Sequence, residues 1–383
     1  MDQHKIDLNG IKAVETKVEI TEFLKFPYSH YSGSKHWVAP LYIEEKKLID
    51  TKKNPFYKDA DISLFTAEKN GKIAGRVAAI ENRAYNSYNK SNVGFFGLFE
   101  SINDPGVAKL LFRIVEDWCK KRGLDGIIGP FNPSIMDTLG ILVDGFDHDP
   151  SILMPYNYPY YDDLLTSSGF EKEIDLLAFR VTEESIDKDR LLKGEKIVRR
   201  RLPGLEVRNI NLKNFDEEVR IVRDLFNSAW ADNWGFYPIS EEVFRKIGKD
   251  LKSIIDTDMA HVAEVDGKAV AFSIALPDFN QALKKINGRL LPTGIFKLLY
   301  YSRKIDRIRT ALMGVDPEFQ GKGIDAVLHK EAIVNGLEKG YVSSELGWVL
   351  ENNTNMIRVA ERAGASVEKR YRIYRKNFSE ELS

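Results

Sequence analysis

Apolar and polar residues alternate along two stretches of the chain, each on both sides of a short turn. The first stretch spans 61–85 and turns at an Asn-Gly pair, and the second spans 259–278 and turns at an Asp-Gly pair. Such alternation around this kind of turn is typical of a β-hairpin. A short apolar segment and a long segment with helical spacing of apolar residues follow each stretch. The pattern predicts two copies of a hairpin–strand–helix arrangement.

The two copies share their spacing as well as their order. Gly97 and Gly123 are 26 positions apart, and so are Gly314 and Gly340. Equal spacing of equivalent glycines indicates an internal duplication. The segment 194–206, with a basic run and a Pro-Gly pair, separates the copies. We therefore expect two domains, 1–202 and 203–383.

The first copy contains an insertion after its long helix. Gly123 and Gly169 are 46 positions apart, whereas Gly340 and Gly364 are 24 apart, a difference of 22. The inserted loop, 129–161, holds five of the 14 prolines and is longer than most connections. It is either a lid or binding loop, or a rigid cover for the edge of a sheet.

Composition excludes several classes of protein. With 383 residues, 43% of them hydrophobic and 30% charged, the chain suits a folded two-domain protein rather than a disordered one. Lys and Arg total 56 against 57 for Asp and Glu, so the net charge of -1 gives no general attraction to nucleic acid. We expect no nucleic-acid partner.

Cysteine and histidine bear on compartment and metal binding. The single cysteine, Cys119, excludes an intrachain disulfide and a cysteine-based zinc site, and it suits a reducing compartment. The six histidines show no metal-ligand spacing. The amino terminus has no signal-peptide pattern, and no run of residues is apolar enough to span a membrane. We expect a cytoplasmic protein without a metal.

The segment from Gly314 to Asp325 carries the most informative chemistry. It follows an apolar strand, contains a glycine-rich turn and begins a helix. A turn of this kind directs unpaired backbone N–H groups and the positive end of a helix toward one point. That arrangement suits a pyrophosphate. The spacing differs from a Walker A loop, and the third glycine of a Rossmann fingerprint is missing.

These residues resemble the GNAT superfamily of acyl-CoA N-acyltransferases. Gln320 and Gly323 match its pyrophosphate loop, but Asp325 stands where the family has a small residue, and its charge would repel CoA. Asn353, eleven residues before Gly364, matches an asparagine of a second GNAT signature.

The resemblance implies an α/β fold of two tandem GNAT-like domains, each a mixed, mostly antiparallel sheet flanked by helices. In the first copy the segment from Asn103 to Ala108 aligns with the pyrophosphate loop. There Pro105 removes one N–H and Asp104 adds a negative charge. We expect the first domain to be a degenerate copy.

The resemblance also implies that acyl-CoA binds the second domain, with a backbone N–H near Val315 facing the thioester oxygen. The candidate CoA-binding residues are Val315, Gln320, Gly321, Lys322, Gly323, Ile324, Asp325 and Asn353.

Two residues are candidates for proton transfer. Glu345, on the predicted strand 343–350, is either a general base or a partner in an ion pair with a neighbouring strand. Many GNAT enzymes use a tyrosine at the position that Ala360 occupies here, so Tyr371 or Tyr374 is a candidate substitute. Because these two tyrosines are three positions apart on a strand, we expect one in the core and one at the surface.

A basic segment, 284–309, contains eight Lys and Arg residues against one acid, around apolar and aromatic residues. This composition suits either a helix lying on an anionic membrane surface or a solvated basic face over a core stripe.

The whole chain resembles bacterial tandem GNAT-like proteins and bacterial ceramide-forming N-acyltransferases. The leading hypothesis is transfer of an acyl group from CoA to a primary amine, with a long-chain, sphingoid-like amine as one candidate. The alternative is a non-catalytic acyl-CoA-binding or interaction protein, which the residues at 325 and 360 would suit. Transfer from aminoacyl-tRNA fits least, because the chain has no basic excess.

Overall fold

The computed structural model describes residues 10–290 and 292–378. His4, one of the six histidines, and Leu291, within the basic segment, lie outside the described residues. The chain forms two compact units, which interleave along the sequence. Of the described residues, the first contains 10–147, 155–175 and 371–378, and the second contains 148–154, 176–290 and 292–370.

The elements of the first sequence copy are β1 (Ile11–Ala13), α1 (Lys17–His30), α2 (Tyr42–Leu48), β2 (Ala60–Lys69), β3 (Lys72–Asn82), α3 (Arg83–Asn89), β4 (Val93–Ser101), α4 (Pro105–Lys120), β5 (Gly126–Gly129), β6 (Phe131–Asn132), β7 (Thr138–Leu139), β8 (Ile141–Asp144), α5 (Tyr161–Thr166) and β9 (Glu171–Thr182). The remaining elements are α6 (Lys188–Arg201), β10 (Leu205–Asn209), α7 (Phe215–Ala229), α8 (Glu241–Leu251), β11 (Ala260–Val265), β12 (Lys268–Pro277), α9 (Asn280–Leu283), α10 (Gly294–Ser302), β13 (Arg307–Val315), α11 (Ile324–Glu338), β14 (Ser343–Leu350), α12 (Thr354–Arg362) and β15 (Ser366–Asn377).

The sheet of the first unit has the order β1-β2-β3-β4-β5, followed by the last part of β15. Only β4 and β5 are parallel, and the other neighbours are antiparallel. Helix α4 follows β4 and buries Leu111, Phe112 and Val115 against the sheet. The predicted hairpin at the Asn-Gly turn is the β2–β3 pair.

The second unit repeats this arrangement. Its strands have the order β10-β11-β12-β13-β14, followed by residues 176–182 of β9, and only β13 and β14 are parallel. Helix α11 follows β13 and buries Val327 and Leu328 beside Val270 and Ala271. The predicted fold class, two mixed and mostly antiparallel sheets flanked by helices, is confirmed.

Each unit completes its sheet with a strand from the other half of the sequence. Residues 176–182, from the first copy, pair with β14 in the second unit, and residues 374–377, from the second copy, pair with β5 in the first. The compact units therefore interleave along the sequence and are described separately from the two sequence copies. The division into 1–202 and 203–383 stays a prediction about the duplicated sequence copies.

Candidate active site

Strands β13 and β14 separate part-way along their length. Their parallel pairing covers four residue pairs and ends where Thr310 lies opposite Leu346. Beyond that pair β14 bulges between Leu346 and Val349, while β13 continues along β12 to Val315. A bulge bends a strand away from its neighbour. The gap between the two strands beyond Thr310 is called the opening below.

Backbone N–H groups of β13 point into the opening. The N–H of Asp316 donates to the carbonyl oxygen of Val270 on the other side, at 2.8 Å. Because these directions alternate along a strand, the N–H groups of Val315 and Met313 point away from β12 and toward the opening. This geometry suits an extended ligand that lies alongside β13 as an added strand.

Side chains already bond the carbonyl groups along this edge. The indole N–H of Trp230 donates to the Met313 carbonyl at 2.9 Å, and the Gln320 side chain donates to the Val315 carbonyl at 3.2 Å. Trp230 also contacts Trp348, on the bulge of β14, with ring centroids 5.7 Å apart. Trp230, which bonds β13 from the end of α7, and Trp348, on β14, therefore meet beside the opening.

Sequence reasoning did not identify Trp230 or Trp348. Trp230 follows the last residue of α7, at the end of an amphipathic helix. Trp348 lies on the strand 343–350, where the sequence indicates only Glu345 as a candidate. Large aromatic side chains on the predicted strand 343–350 and at the end of an amphipathic helix were the available signal.

Two glycines shape the loop between β13 and α11. Gly321 has φ 72° and Gly323 has φ 88°, both in the left-handed region that favours glycine. Gly323 caps α11 and has no side chain to accept the N–H groups of the first turn. The N–H of Ala326 bonds the Gly323 carbonyl at 3.1 Å, and the positive end of the helix lies at this loop, which suits an anion. Lys322 is exposed and lies over the Phe319 ring at 4.3 Å, and Asp325 is in the first turn.

The equivalent loop of the first unit is filled by its own side chains. Asp104 caps α4 and accepts the N–H groups of Gly106 and Val107, at 2.8 and 3.4 Å. On the strand before it, the N–H of Leu98 donates to the Asn132 side chain at 2.6 Å. An anion at this helix would have to displace a carboxylate. These contacts support the prediction that the first copy is degenerate.

Asn353 lies at the start of α12, where its side chain accepts the N–H of Met356 at 3.1 Å. Helices α11 and α12 each follow one of the two parallel strands. Their amino ends therefore both lie at the carboxyl edge of that strand pair. This places Asn353 and the Gly321–Asp325 loop at the same edge of the second unit.

Glu345 is completely buried and forms an ion pair. Its Oε2 accepts from Lys369 Nζ at 2.6 Å, and Lys369 is also completely buried. The guanidinium of Arg309 lies 3.9 Å from the other carboxylate oxygen and donates to the Gly347 carbonyl at 2.8 Å. The alternative of an ion pair with a neighbouring strand thus has direct geometric support. The role of Glu345 as a base stays a prediction.

The ion pairs continue from Lys369 to Glu368 and Arg180. Lys369 Nζ donates to Glu368 at 2.8 Å, and Arg180 donates to the same carboxylate at 2.9 and 3.1 Å. Burial alone would raise the pKa of Glu368, but the bonds from Arg180 and the charge of Lys369 lower that pKa to about 2. The carboxylate is charged at neutral pH and holds β9 to β15 within the second unit.

Both tyrosines considered for proton transfer are buried. Tyr371 and Tyr374 each have 0% exposure and belong to the first unit. The expectation that one of them lies at the surface is wrong, because protein covers both faces of this strand. Tyr374 donates to Asp162. Ala360 is buried in α12 and packs beside Leu177, Phe179 and Val349. The catalytic role of Tyr371 stays a prediction.

Neither a metal cluster nor a membrane-spanning helix occurs in the part of the chain that the structure describes. Across 10–290 and 292–378, no group of three or more His, Cys, Asp or Glu side chains is arranged to hold a metal ion. None of the described helices is both long and apolar enough to cross a bilayer.

Comparison with known proteins agrees with this geometry. A model of the acetyltransferase (GNAT) family matches residues 219–365. Protein YghO of Escherichia coli (strain K12) is 35% identical over 373 residues, which cover 96% of this chain and 95% of that protein. A bacterial ceramide synthase of Caulobacter vibrioides (strain NA1000 / CB15N) is 34% identical over 384 residues, which cover 98% and 99% of the two chains.

A solved structure has the same tandem fold. A tandem GNAT protein from the clavulanic acid biosynthesis pathway superposes with a TM-score of 0.58 at 11% identity, over 96% of this chain and 98% of that one. Likeness at this identity concerns the fold alone. Together with two relatives at about one-third identity over nearly the whole length, these matches show that the chain belongs to the GNAT family of N-acyltransferases, in its tandem form.

Proposed function

We propose that this protein transfers a fatty acyl group from CoA to the amine of a long-chain, sphingoid-like base. The observation that carries the proposal is the opening in the second unit, where β13 directs backbone N–H groups away from β12, beside a helix whose cap residue Gly323 has no side chain. The similarity to a named ceramide synthase, 34% over 98% of this chain, supports a long-chain amine as the acceptor.

In the proposed reaction the pyrophosphate lies at the Gly321–Asp325 loop and the pantetheine arm pairs with the edge of β13. The amine nitrogen attacks the thioester carbonyl carbon, and negative charge develops on the carbonyl oxygen. The N–H of Val315 stabilises that charge. The C–N bond forms, the C–S bond breaks, and the proton lost by the amine balances the charge of the leaving thiolate.

The proposed reaction needs no acid from Tyr371, and Glu345 has a structural part in it. A CoA thiolate, with a pKa near 8.5 for an ordinary thiol, leaves without an acid, so the alanine at 360 is compatible with turnover. We propose that Glu345 holds Lys369 and the strand beside the opening, because one of its carboxylate oxygens bonds Lys369 and the side chain is completely buried. A general base is not assigned.

The test is reconstitution with defined substrates. Purified full-length protein, palmitoyl-CoA and sphinganine should release free thiol and form the amide, detected by mass spectrometry. Acetyl-CoA with the same amine and palmitoyl-CoA with a soluble amine such as glucosamine are the matched comparisons. Thiol release without amide would indicate hydrolysis, and CoA binding without either product would favour a non-catalytic acyl-CoA-binding protein.

Replacing Asp325 by alanine should tighten CoA binding. The carboxylate lies in the first turn of α11, beside the proposed pyrophosphate, and its removal should lower the dissociation constant by about two- to tenfold, less at high salt. The same change should lower the free energy of unfolding by about 0.3–1 kcal/mol, because an acid in the first turn stabilises a helix.

Isothermal titration of CoA at low and high salt measures this effect. Glu338→Ala, which removes an exposed acid at the other end of the same helix, is the control and should leave affinity unchanged. Weaker binding by the Asp325→Ala protein would contradict the proposed position of the pyrophosphate and would indicate a positive role for this carboxylate.

We propose that α10 contacts an anionic membrane surface, from which the lipid amine enters. Four large apolar side chains on α10 are exposed: Ile295 by 43%, Phe296 by 72%, Leu299 by 58% and Tyr300 by 56%. Their positions, four apart in two pairs, place them along one side of the helix. Such an exposed apolar stripe beside basic residues is typical of interfacial helices.

The structure reduces the basic set around α10. Arg307 pairs with Asp278, and buried Arg309 lies near Glu345, so neither belongs to an exposed face as the sequence suggested. Lys284 bonds Asp149 at 2.5 Å. The exposed bases that remain are Lys285, Arg289, Lys297, Arg303 and Lys304.

The membrane proposal predicts salt-sensitive binding to anionic vesicles. Each exposed base contributes up to about 1 kcal/mol near such a surface, so replacing Lys297, Arg303 and Lys304 by glutamate should abolish co-sedimentation with vesicles of phosphatidylglycerol and phosphatidylcholine. Phe296→Ser combined with Leu299→Ser should weaken it separately, through lost apolar contact. Equal binding of the wild type to neutral and anionic vesicles would contradict the proposal.

A further inference from the structure

A cavity of about 40 Å³ lies between α11 and the strand pair β13–β14 in the second unit. Its lining is mainly apolar and includes Ile308 from β13, Leu346 from β14, and Ala332 and Gly336 from α11. Ala363, which follows α12, closes it on the other side. The cavity thus occupies the groove between α11 and α12 where both helices cover the sheet.

The cavity begins where the opening ends. Thr310 and Leu346 form the last pair between β13 and β14, and both line the cavity. The amino ends of α11 and α12 lie at the other end of this groove. From Ile324, at the start of α11, the helix rises about 12 Å to Ala332 and about 18 Å to Gly336. An extended ligand that begins at the glycine loop and lies along the opening therefore reaches the cavity with its far end.

Gly336 contributes space to the cavity. A Cβ atom on Gly336 would lie 3.5 Å from Met259 Cε and 3.8 Å from Ile308 Cδ1, which are ordinary contact distances. A larger side chain at this position would extend into the space that the missing side chain leaves. The other titratable groups that line the cavity are Glu183 and Tyr341, at its rim, and His329, whose pKa burial lowers. A neutral imidazole keeps the inner wall suited to hydrocarbon.

We propose that this cavity receives the end of the acyl chain of the thioester and sets the preferred chain length. The inference rests on the proposed function, since it requires acyl-CoA in the opening. One water-sized group needs roughly 10–15 Å³ of cavity volume. The cavity of about 40 Å³ therefore holds about three methylene-sized groups. Burial of each methylene should tighten binding about fourfold.

The experiment compares the affinities of acetyl-, octanoyl- and lauroyl-CoA by titration calorimetry, which needs no acceptor amine. The wild type should bind one of the longer thioesters at least tenfold more tightly than acetyl-CoA. Gly336→Leu should remove most of that preference while acetyl-CoA affinity stays within about twofold. Ile333→Ala, which enlarges the lining on the same helix, should shift the preference toward the longer chain.

Glu338→Leu adds an apolar side chain to an exposed position of α11 outside the cavity and is the matched control. It should leave all three affinities unchanged. If the wild type binds no CoA thioester, the proposed function itself fails. If it binds them but the preference is the same in the wild type, Gly336→Leu and Ile333→Ala, the cavity proposal is overturned while the proposed function stands. Should Gly336→Leu fail to fold, Ile333→Ala alone decides.

Discussion

Replacing Val315 by proline should lower kcat/KM for acyl transfer by about 100-fold or more, the loss typical when one donor to a developing oxyanion is removed. Proline lacks the N–H that points into the opening. That N–H lies on the side of β13 away from β12, so the ladder between β12 and β13 keeps its bonds, including the one from Asp316 to Val270. The effect should therefore fall on the reaction more than on the fold.

Val315→Ala is the matched control, because it shortens the same side chain but retains the N–H. The rate is measured as thiol release from palmitoyl-CoA in the presence of sphinganine, and the melting temperature checks the fold of each variant. If Val315→Pro is folded and as active as Val315→Ala, the edge of β13 does not bind the thioester, and the site must be sought elsewhere in the second unit.

Replacing Glu345 by alanine should lower the free energy of unfolding by about 3–5 kcal/mol, as expected when one member of a buried ion pair is removed. In the wild type the side chains of Glu345 and Lys369 both have 0% exposure. The change leaves the buried ammonium of Lys369 with Glu368 as its remaining carboxylate partner. Denaturant unfolding followed by circular dichroism measures it.

A double variant separates the structural role from catalysis. Glu345→Leu with Lys369→Met replaces the pair by apolar groups and should recover most of the lost stability. We expect this double variant to retain N-acylation, because the proposed role of Glu345 is to hold the strand and not to accept the proton. A double variant that is as stable as the wild type but inactive, with a changed pH profile of kcat/KM, would instead identify Glu345 as the general base.

The elements of the fold were largely predictable from local pattern. Alternation around Asn-Gly and Asp-Gly turns located the hairpins β2–β3 and β11–β12, and the equal glycine spacing revealed the repeat. The loop from Gly321 to Gly323 was predictable too, because its glycines adopt positive φ and the helix follows directly. Each of these features depends on residues close together in the sequence.

Side-chain environment was less predictable. Two tyrosines three positions apart suggested one buried and one exposed residue, yet Tyr371 and Tyr374 are both buried because both faces of their strand are covered. Arg307 and Arg309 looked like part of a basic surface, but their strand places them against Asp278 and Glu345. The charge pattern of a segment shows which residues it contains, whereas the burial of each residue depends on the elements that pack against it.

The sequence by itself determined the duplicated hairpin–strand–helix arrangement, the GNAT signature residues and the defects of the first copy, since each follows from spacing and residue type. Only the tertiary structure decided which strands complete each sheet, that Lys369 forms an ion pair with Glu345, and that Trp230 and Trp348 meet beside the opening. These are contacts between residues 24 to 251 positions apart, with no local signal, because strand order and packing are selected by the burial of the whole core.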